Sequence, residues 1–126
     1  MKLRIKGNSL RFRISPSEMV RLLDTGRIED TIYFSVEDGA KLTYALKHTS
    51  DVSAIGVRYE PQMVTVEVPT VEAQAWAAGE QVGLYGESAS RAGALELAIE
   101  KDFACLDKDD EQNADTFPNP KEGAVC

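Results

Sequence analysis

From Lys2 to Glu18 the chain reads KLRIKGNSLRFRISPSE, and this stretch sets the fold. Leu3 and Ile5 alternate with Lys2, Arg4 and Lys6; beyond Gly7-Asn8, Leu10, Phe12 and Ile14 alternate with Arg11 and Arg13. A period of two is that of a half-buried strand, whose successive side chains point to opposite faces. Gly7-Asn8 between two such runs predicts a two-residue type II′ hairpin turn, because glycine accepts the positive φ that its first position needs. Ser15-Pro16-Ser17-Glu18 then predicts a helix start. The Ser15 hydroxyl accepts from the backbone N–H of Glu18, the Glu18 carboxylate accepts from the N–H of Ser15, and proline suits the first helical position. Met19, Leu22 and Leu23 supply an apolar stripe with Val20 beside it, and Gly26 is the stop.

Four more strands are predicted between Arg27 and Pro69. Ile28, Ile32, Phe34 and Val36 share one face of the first, opposite Glu29, Thr31 and Tyr33. Glu37-Asp38-Gly39 turns into Leu42, Tyr44 and Leu46. Ile55, Val57 and Tyr59 lead through a Pro61-Gln62 turn to Val64, Val66 and Val68. Residues 70–79 form a short Ala-rich helix with Thr70 as its cap and Trp76 as a core anchor. Two further strands are placed near Val82–Tyr85 and on Leu95, Leu97 and Ile99, with Ser88 and Ser90 in a loop. The order is ββαββββαββ, and short turns favour antiparallel neighbours. The reading is α+β: one domain over 1–126, two short helices and a large curved, mainly antiparallel sheet, its closure into a barrel left open. Its expected core is Leu3, Ile5, Phe12, Ile14, Ile32, Phe34, Leu42, Tyr44, Val57, Val66, Leu97 and Ile99. No linker and no internal repeat is found.

Composition narrows the functional classes. The 126 residues hold 14 Lys+Arg against 21 Asp+Glu, for a formal net charge of −7, which argues against bulk nucleic-acid binding. Charge is unevenly spread: residues 1–30 are net basic and the remainder strongly acidic, so the two parts attract. A hydrophobic fraction of 43% excludes intrinsic disorder, and two cysteines exclude a disulfide-stapled miniprotein. No apolar run approaches the ~20 residues of a membrane-spanning helix. With no signal-like apolar start, the expected compartment is the reducing cytoplasm.

The opening Met1-Lys-Leu-Arg-Ile-Lys-Gly-Asn-Ser-Leu-Arg-Phe-Arg13 and the later Glu100-Lys-Asp-Phe-Ala-Cys-Leu106 and Phe117-Pro-Asn-Pro120 resemble a family of small bacterial proteins described as a domain of unknown function. Leu42-Thr-Tyr-Ala-Leu46 and Trp76 with Val82-Gly83 extend the resemblance over nearly the whole chain. It implies a free-standing domain and carries over no ligand or catalytic residue.

The sharpest chemical feature is the basic face of the first hairpin. A two-residue turn sets Lys6 opposite Ser9, Arg4 opposite Arg11 and Lys2 opposite Arg13. Lys2, Arg4, Lys6, Arg11 and Arg13 then share one face, and like charges directly opposite one another are unfavourable. Solvent, carboxylates such as Glu29, Glu67, Glu96, Glu100 and Asp102, or a bound phosphate or carboxylate would offset them. Cys105, Cys126 and His48 are the candidate metal ligands, although their spacing matches no paired-cysteine zinc signature. Asp107, Asp109, Glu111, Asn113 and Asp115 alternate like a calcium loop, but Gln112 stands where the turn needs Gly and Pro118 where a bidentate Glu belongs. The acidic, Pro-containing segment 107–126 is instead expected to be anchored by Phe117 and Pro118.

Three functions follow as expectations. The first is a small non-enzymatic interaction or accessory protein that meets a protein partner, or itself, through a sheet face or edge. The second is an anion- or phosphorylated-ligand-binding protein or enzyme built on the basic hairpin face. The third is metal binding through Cys105 and Cys126. No catalytic residue and no cofactor is assigned.

Overall fold

The computed structural model describes residues 1–104 and 114–118. Its elements are β1 (Lys2–Ile5), β2 (Ser9–Ile14), α1 (Pro16–Thr25), β3 (Arg27–Tyr33), β4 (Lys41–Thr49), β5 (Gly56–Glu60), β6 (Met63–Pro69), α2 (Thr70–Ala78), β7 (Gly83–Ser90) and β8 (Gly93–Lys101). The α+β class and the order ββαββββαββ hold. The strands do not form one large sheet: they divide into two four-stranded sheets, β1-β2-β8-β7 and β3-β4-β6-β5, and neither closes into a barrel. Each helix lies between two hairpins and carries the chain from one sheet to the other, so the two hairpins it joins do not pair, whereas β3-β4 and β5-β6 share one sheet. Hairpin partners are antiparallel, while the central pairs β2–β8 and β4–β6 are parallel.

The opening stretch folds as its pattern dictates. Lys2 pairs with Arg13, Leu3 with Phe12 and Arg4 with Arg11, around a turn in which Gly7 has φ 54°. Ser15 caps α1 with both arms of the capping box in place, and Gly26 ends it in the left-handed conformation at φ 83°. The ammonium of Met1 lies against the Glu18 carboxylate as well, with Asp30 at 3.3 Å. Burial pushes the Glu18 carboxyl up, but the Met1 ammonium and the Ser15 N–H outweigh it and hold the group below its ordinary range. Met19 and Leu22 are buried; Leu23, expected beside them, is 37% exposed.

One core joins both sheets and both helices. Phe12, Ile14, Leu84, Leu97 and Ile99 come from the first sheet, Ile28, Leu46, Val66 and Val68 from the second, and Met19, Leu22, Ala73 and Trp76 from the helices. The Phe12 and Tyr44 rings meet across it at 6.1 Å between centroids. Trp76 is fully buried, as expected, and donates its indole N–H to the Val82 carbonyl at 3.2 Å. Three expected core residues are exposed: Ile5, Ile32 and Phe34. At Ile32 and Phe34 the alternation outruns the core. β3 is an edge strand, Ile32 sits near its end, and Phe34 already lies in the turn to β4, bonded to Ala40 through its backbone N–H. Thr70 does not cap α2, because its hydroxyl meets His48 Nδ1 at 3.0 Å. Ser88 and Ser90 lie within β7 rather than in a loop.

The chain also contains a repeat that its residue identities conceal. β5-β6-α2-β7-β8 repeats β1-β2-α1-β3-β4. The shift that carries Phe12 to Val66 carries Ile14 to Val68, Met19 to Ala73 and Leu22 to Trp76, and all eight residues are buried. It also lays the Gly7-Asn8 turn on Pro61-Gln62. Exchanging the halves exchanges the sheets: the seam pair Ser9–Glu96 of the first corresponds to Met63–Thr43 of the second. Identity survives only at isolated positions such as Arg4 and Arg58, or Glu18 and Glu72. Burial and register are shared where side-chain chemistry is not, which is why the sequence reading finds no repeat.

Within the C-terminal segment Phe117 is anchored as the sequence suggests. Phe117 packs on the core, bridges to Phe103 by backbone pairing and sets its ring edge-on to that of Phe103 at 6.2 Å. The buried Lys101 ammonium lies 5.5 Å above the Phe117 ring and donates to the Gly79 carbonyl at 2.8 Å. Asp115 accepts from the Ser17 hydroxyl and backbone N–H at the first turn of α1, and the Ser17 hydroxyl bond holds its carboxyl below the usual carboxylate range. Pro118, the second expected anchor, is exposed. Asp107, Asp109, Glu111, Asn113, Cys105 and Cys126 lie outside the described residues.

Candidate functional site

Burial of Phe12, Ile14, Leu84, Leu97 and Ile99 on the core side of the first sheet turns their alternate neighbours to its other face. The registers then fix three outward rows across β1, β2, β8 and β7. One is Lys2, Arg13, Glu100 and Gly83. The next is Arg4, Arg11, Ala98 and Tyr85. The last, at the hairpin end, is Lys6, Ser9, Glu96 and Glu87. All five cations predicted to share a face do so. The half built by β7 and β8 carries carboxylates instead, so the face is divided along the β2–β8 seam into a positive and a negative side.

Two of the expected carboxylates neutralise part of the basic half. Lys2 Nζ meets Asp102 Oδ2 at 2.8 Å, and Arg11 Nε meets Glu100 Oε1 at 3.1 Å. Glu29 and Glu67 instead pair with Arg27 and Arg58 on the second sheet. Among the described residues Arg4, Lys6 and Arg13 have no ion-pair partner. The other oxygen of Glu100 accepts from the Tyr85 hydroxyl at 2.7 Å. Partial burial, then the Glu100 hydrogen bond and charge, push the Tyr85 hydroxyl up to about 12. Three like-charge pairs stand directly opposite across strands of this sheet: Lys2 with Arg13, Arg4 with Arg11, and Glu87 with Glu96. Each arrangement disfavours the isolated sheet.

Small residues in the middle of the face leave room. An open cleft of about 440 Å³ is lined by Ser9, Arg11, Tyr85, Glu87, Glu96 and Ala98 among others. A second, of about 190 Å³, is lined by Arg4, Lys6, Ser9 and Arg11. The equivalent face of the second sheet is closed. There Ala45, the counterpart of Ala98, is fully buried, and Thr43 and Thr65 nearly so. The Thr31 and Thr43 hydroxyls bond at 2.8 Å, Arg58 reaches Glu67 at 3.5 Å, and Arg27 reaches both Glu29 and the Met63 sulfur. Two related surfaces have thus diverged, one satisfied by its own side chains and one left open.

Of the expected metal ligands His48 lies among the described residues, while Cys105 and Cys126 lie outside them. His48 sits on β4 with Nδ1 on Thr70, while its Nε2 is buried without a hydrogen-bond partner. Among the described residues no group of three His, Cys, Asp or Glu side chains is placed to hold a metal. Sequence reasoning reached the basic half of the open face and missed Tyr85, Glu87 and Ala98. The one signal available was the alternation of Tyr85 and Glu87 with Leu84.

No helix among the described residues is long and apolar enough to cross a membrane. No curated protein and no solved structure matches the chain. A family of unknown function, DUF7009, matches residues 1–121, and the chain belongs to that family.

Proposed function

We propose that this is a non-enzymatic interaction protein whose working surface is the outer face of the first sheet. The single observation that carries this reading is the contrast between two related faces. The second sheet's is closed by its own ion pairs and hydroxyl contacts, and the first sheet's keeps opposed carboxylates, an open cleft and cations with no ion-pair partner among the described residues. Like-charged pairs across strands are relieved when opposite charge arrives from outside. The test is amide shift mapping of the isotope-labelled chain titrated with a lysine-rich and a glutamate-rich peptide at constant ionic strength. Shifts concentrated on outward residues of β7 and β8 for the first, and of β1 and β2 for the second, are expected. Shifts spread evenly over both sheets would refute the reading.

A second reading has its own observation. The smaller cleft gathers Arg4, Lys6, Arg11 and the Ser9 hydroxyl around a space of about 190 Å³, dimensions suited to one phosphate or carboxylate group. Under it, inorganic phosphate and citrate raise the melting temperature at fixed ionic strength, and Arg4→Ala abolishes the rise.

A further inference from the structure

We infer that the partner of this face is a second copy of the same chain, laid on it face to face about a two-fold axis parallel to the strands. The inference rests on the interaction reading above and names its occupant. The basis is the division of charge along the β2–β8 seam. Turning a copy over about an axis along that seam brings its β7–β8 half above the β1–β2 half of the first, and the reverse, while each row stays over itself. Lys6 then comes over Glu87 and Arg13 over Glu100. Arg4 comes over the Tyr85 ring, an arrangement that favours a guanidinium. Arg11 comes over Ala98, whose small side chain leaves space for it. The other two-fold axis within the face, across the strands, sets cations over cations and carboxylates over carboxylates. Of the two ways of facing the sheet with itself, charge selects one.

In this arrangement Glu87 of the opposed carboxylates meets Lys6, Arg13 of the Lys2–Arg13 pair meets Glu100 and Arg4 of the Arg4–Arg11 pair meets the Tyr85 ring, so part of what disfavours the sheet alone favours the pair. Four strands about 4.8 Å apart and some six residues long present about 400 Å² on each copy. The pair buries on the order of 800 Å², below the range of stable interfaces and within that of weak, transient ones. Association is therefore weak, reversible and sensitive to salt.

The experiment is sedimentation velocity on three chains. One is the natural chain, the second carries Arg4→Glu and Lys6→Glu, and the third carries Glu87→Lys and Glu96→Lys. None of these four side chains has an ion-pair partner among the described residues, and circular dichroism verifies that the variants fold. The natural chain is expected to dimerise with rising concentration in about 50 mM salt and to lose at least tenfold in affinity at about 500 mM. In each variant alone positions 6 and 87 meet with like charge, and the variant stays monomeric. Mixed one to one, the two variants form a dimer, because positions 6 and 87 then carry opposite charges at both of their contacts. A monomeric natural chain together with an unassociating mixture overturns the inference. If the peptide titration still maps to this face, only the choice of occupant has failed; if it maps nowhere, the interaction reading fails with it. Variants that dimerise alone also overturn the inference, since they place the contact elsewhere.

Discussion

Phe12 and Phe34 carry the same side chain, and strand alternation assigns both to the core. Phe12 is 1% exposed and Phe34 65% exposed. Truncating Phe12 to Ala removes a ring enclosed by both sheets and leaves a cavity, at a cost of about 3–5 kcal/mol. The tilted contact with Tyr44 belongs to that loss. Complete burial of a phenyl side chain is worth about 1.5–3 kcal/mol, and Phe34 keeps only about a third of its surface from water, so Phe34→Ala costs about 0.5–1 kcal/mol. In urea, with a slope of about 2 kcal/mol per molar, these become midpoint shifts of about 2 M and below about 0.5 M. Equilibrium unfolding followed by Trp76 fluorescence reads both, with unchanged slopes as the check that folded and unfolded states remain comparable. Equal shifts in the two variants would refute the placement of the core and the division of the strands into two sheets.

The remaining predictions concern the caps, the charges and the C-terminal anchor. Ser15→Ala removes one arm of the capping box and lowers stability by about 1 kcal/mol in the same urea experiment. Because the Glu18 carboxyl is held below its ordinary pKa of 4.5, its contribution is fully present above that pH and is lost as the pH falls through the lower folded value. Glu18→Gln should therefore be less stable at neutral pH and show a weaker decline in acid. Tyr85, pushed up to about 12, is last to ionise in an absorbance titration, and Glu100→Gln brings it down toward 10. Its raised value favours the folded state below its unfolded pKa, and this is lost as the pH rises through 12. Phe117→Ala frees the strand bridge to Phe103 and uncovers Lys101. A lower melting temperature and faster amide exchange at Ala104 are expected, and no change in either would show the anchor to be idle.

How much of this was legible depends on the distance over which each feature is encoded. The β1–β2 register followed from Gly7-Asn8 and simple alternation, and the α1 cap from four consecutive residues. Both are local, and both were read correctly down to the pairs Lys2–Arg13 and Arg4–Arg11. The division into two sheets rests on the seams Ser9–Glu96 and Thr43–Met63, which join opposite halves and leave no mark in any short window. The same limit governed the site. Its basic half lies within the first 13 residues, whereas Glu87 and Glu96 acquire meaning only once β8 lies beside β2. Thr70 shows a local rule losing to a tertiary contact: the residue suits a cap, but its hydroxyl is taken by His48.

The parallel seams also bear on the making of the chain. β1 and β2 can close within about 1–10 μs, but β2 has no neighbour on its other side until β8 is synthesised. At about 5–20 residues per second that interval lasts on the order of ten seconds, during which an open strand edge is presented to a crowded surrounding. β4 waits a shorter time for β6, since Thr43 pairs with Met63. Arg11 and Arg13 on β2 carry like charges that discourage other nascent strands from adding to that edge. Residues on the basic half of the finished outer face thus serve first as gatekeepers of the unfinished one.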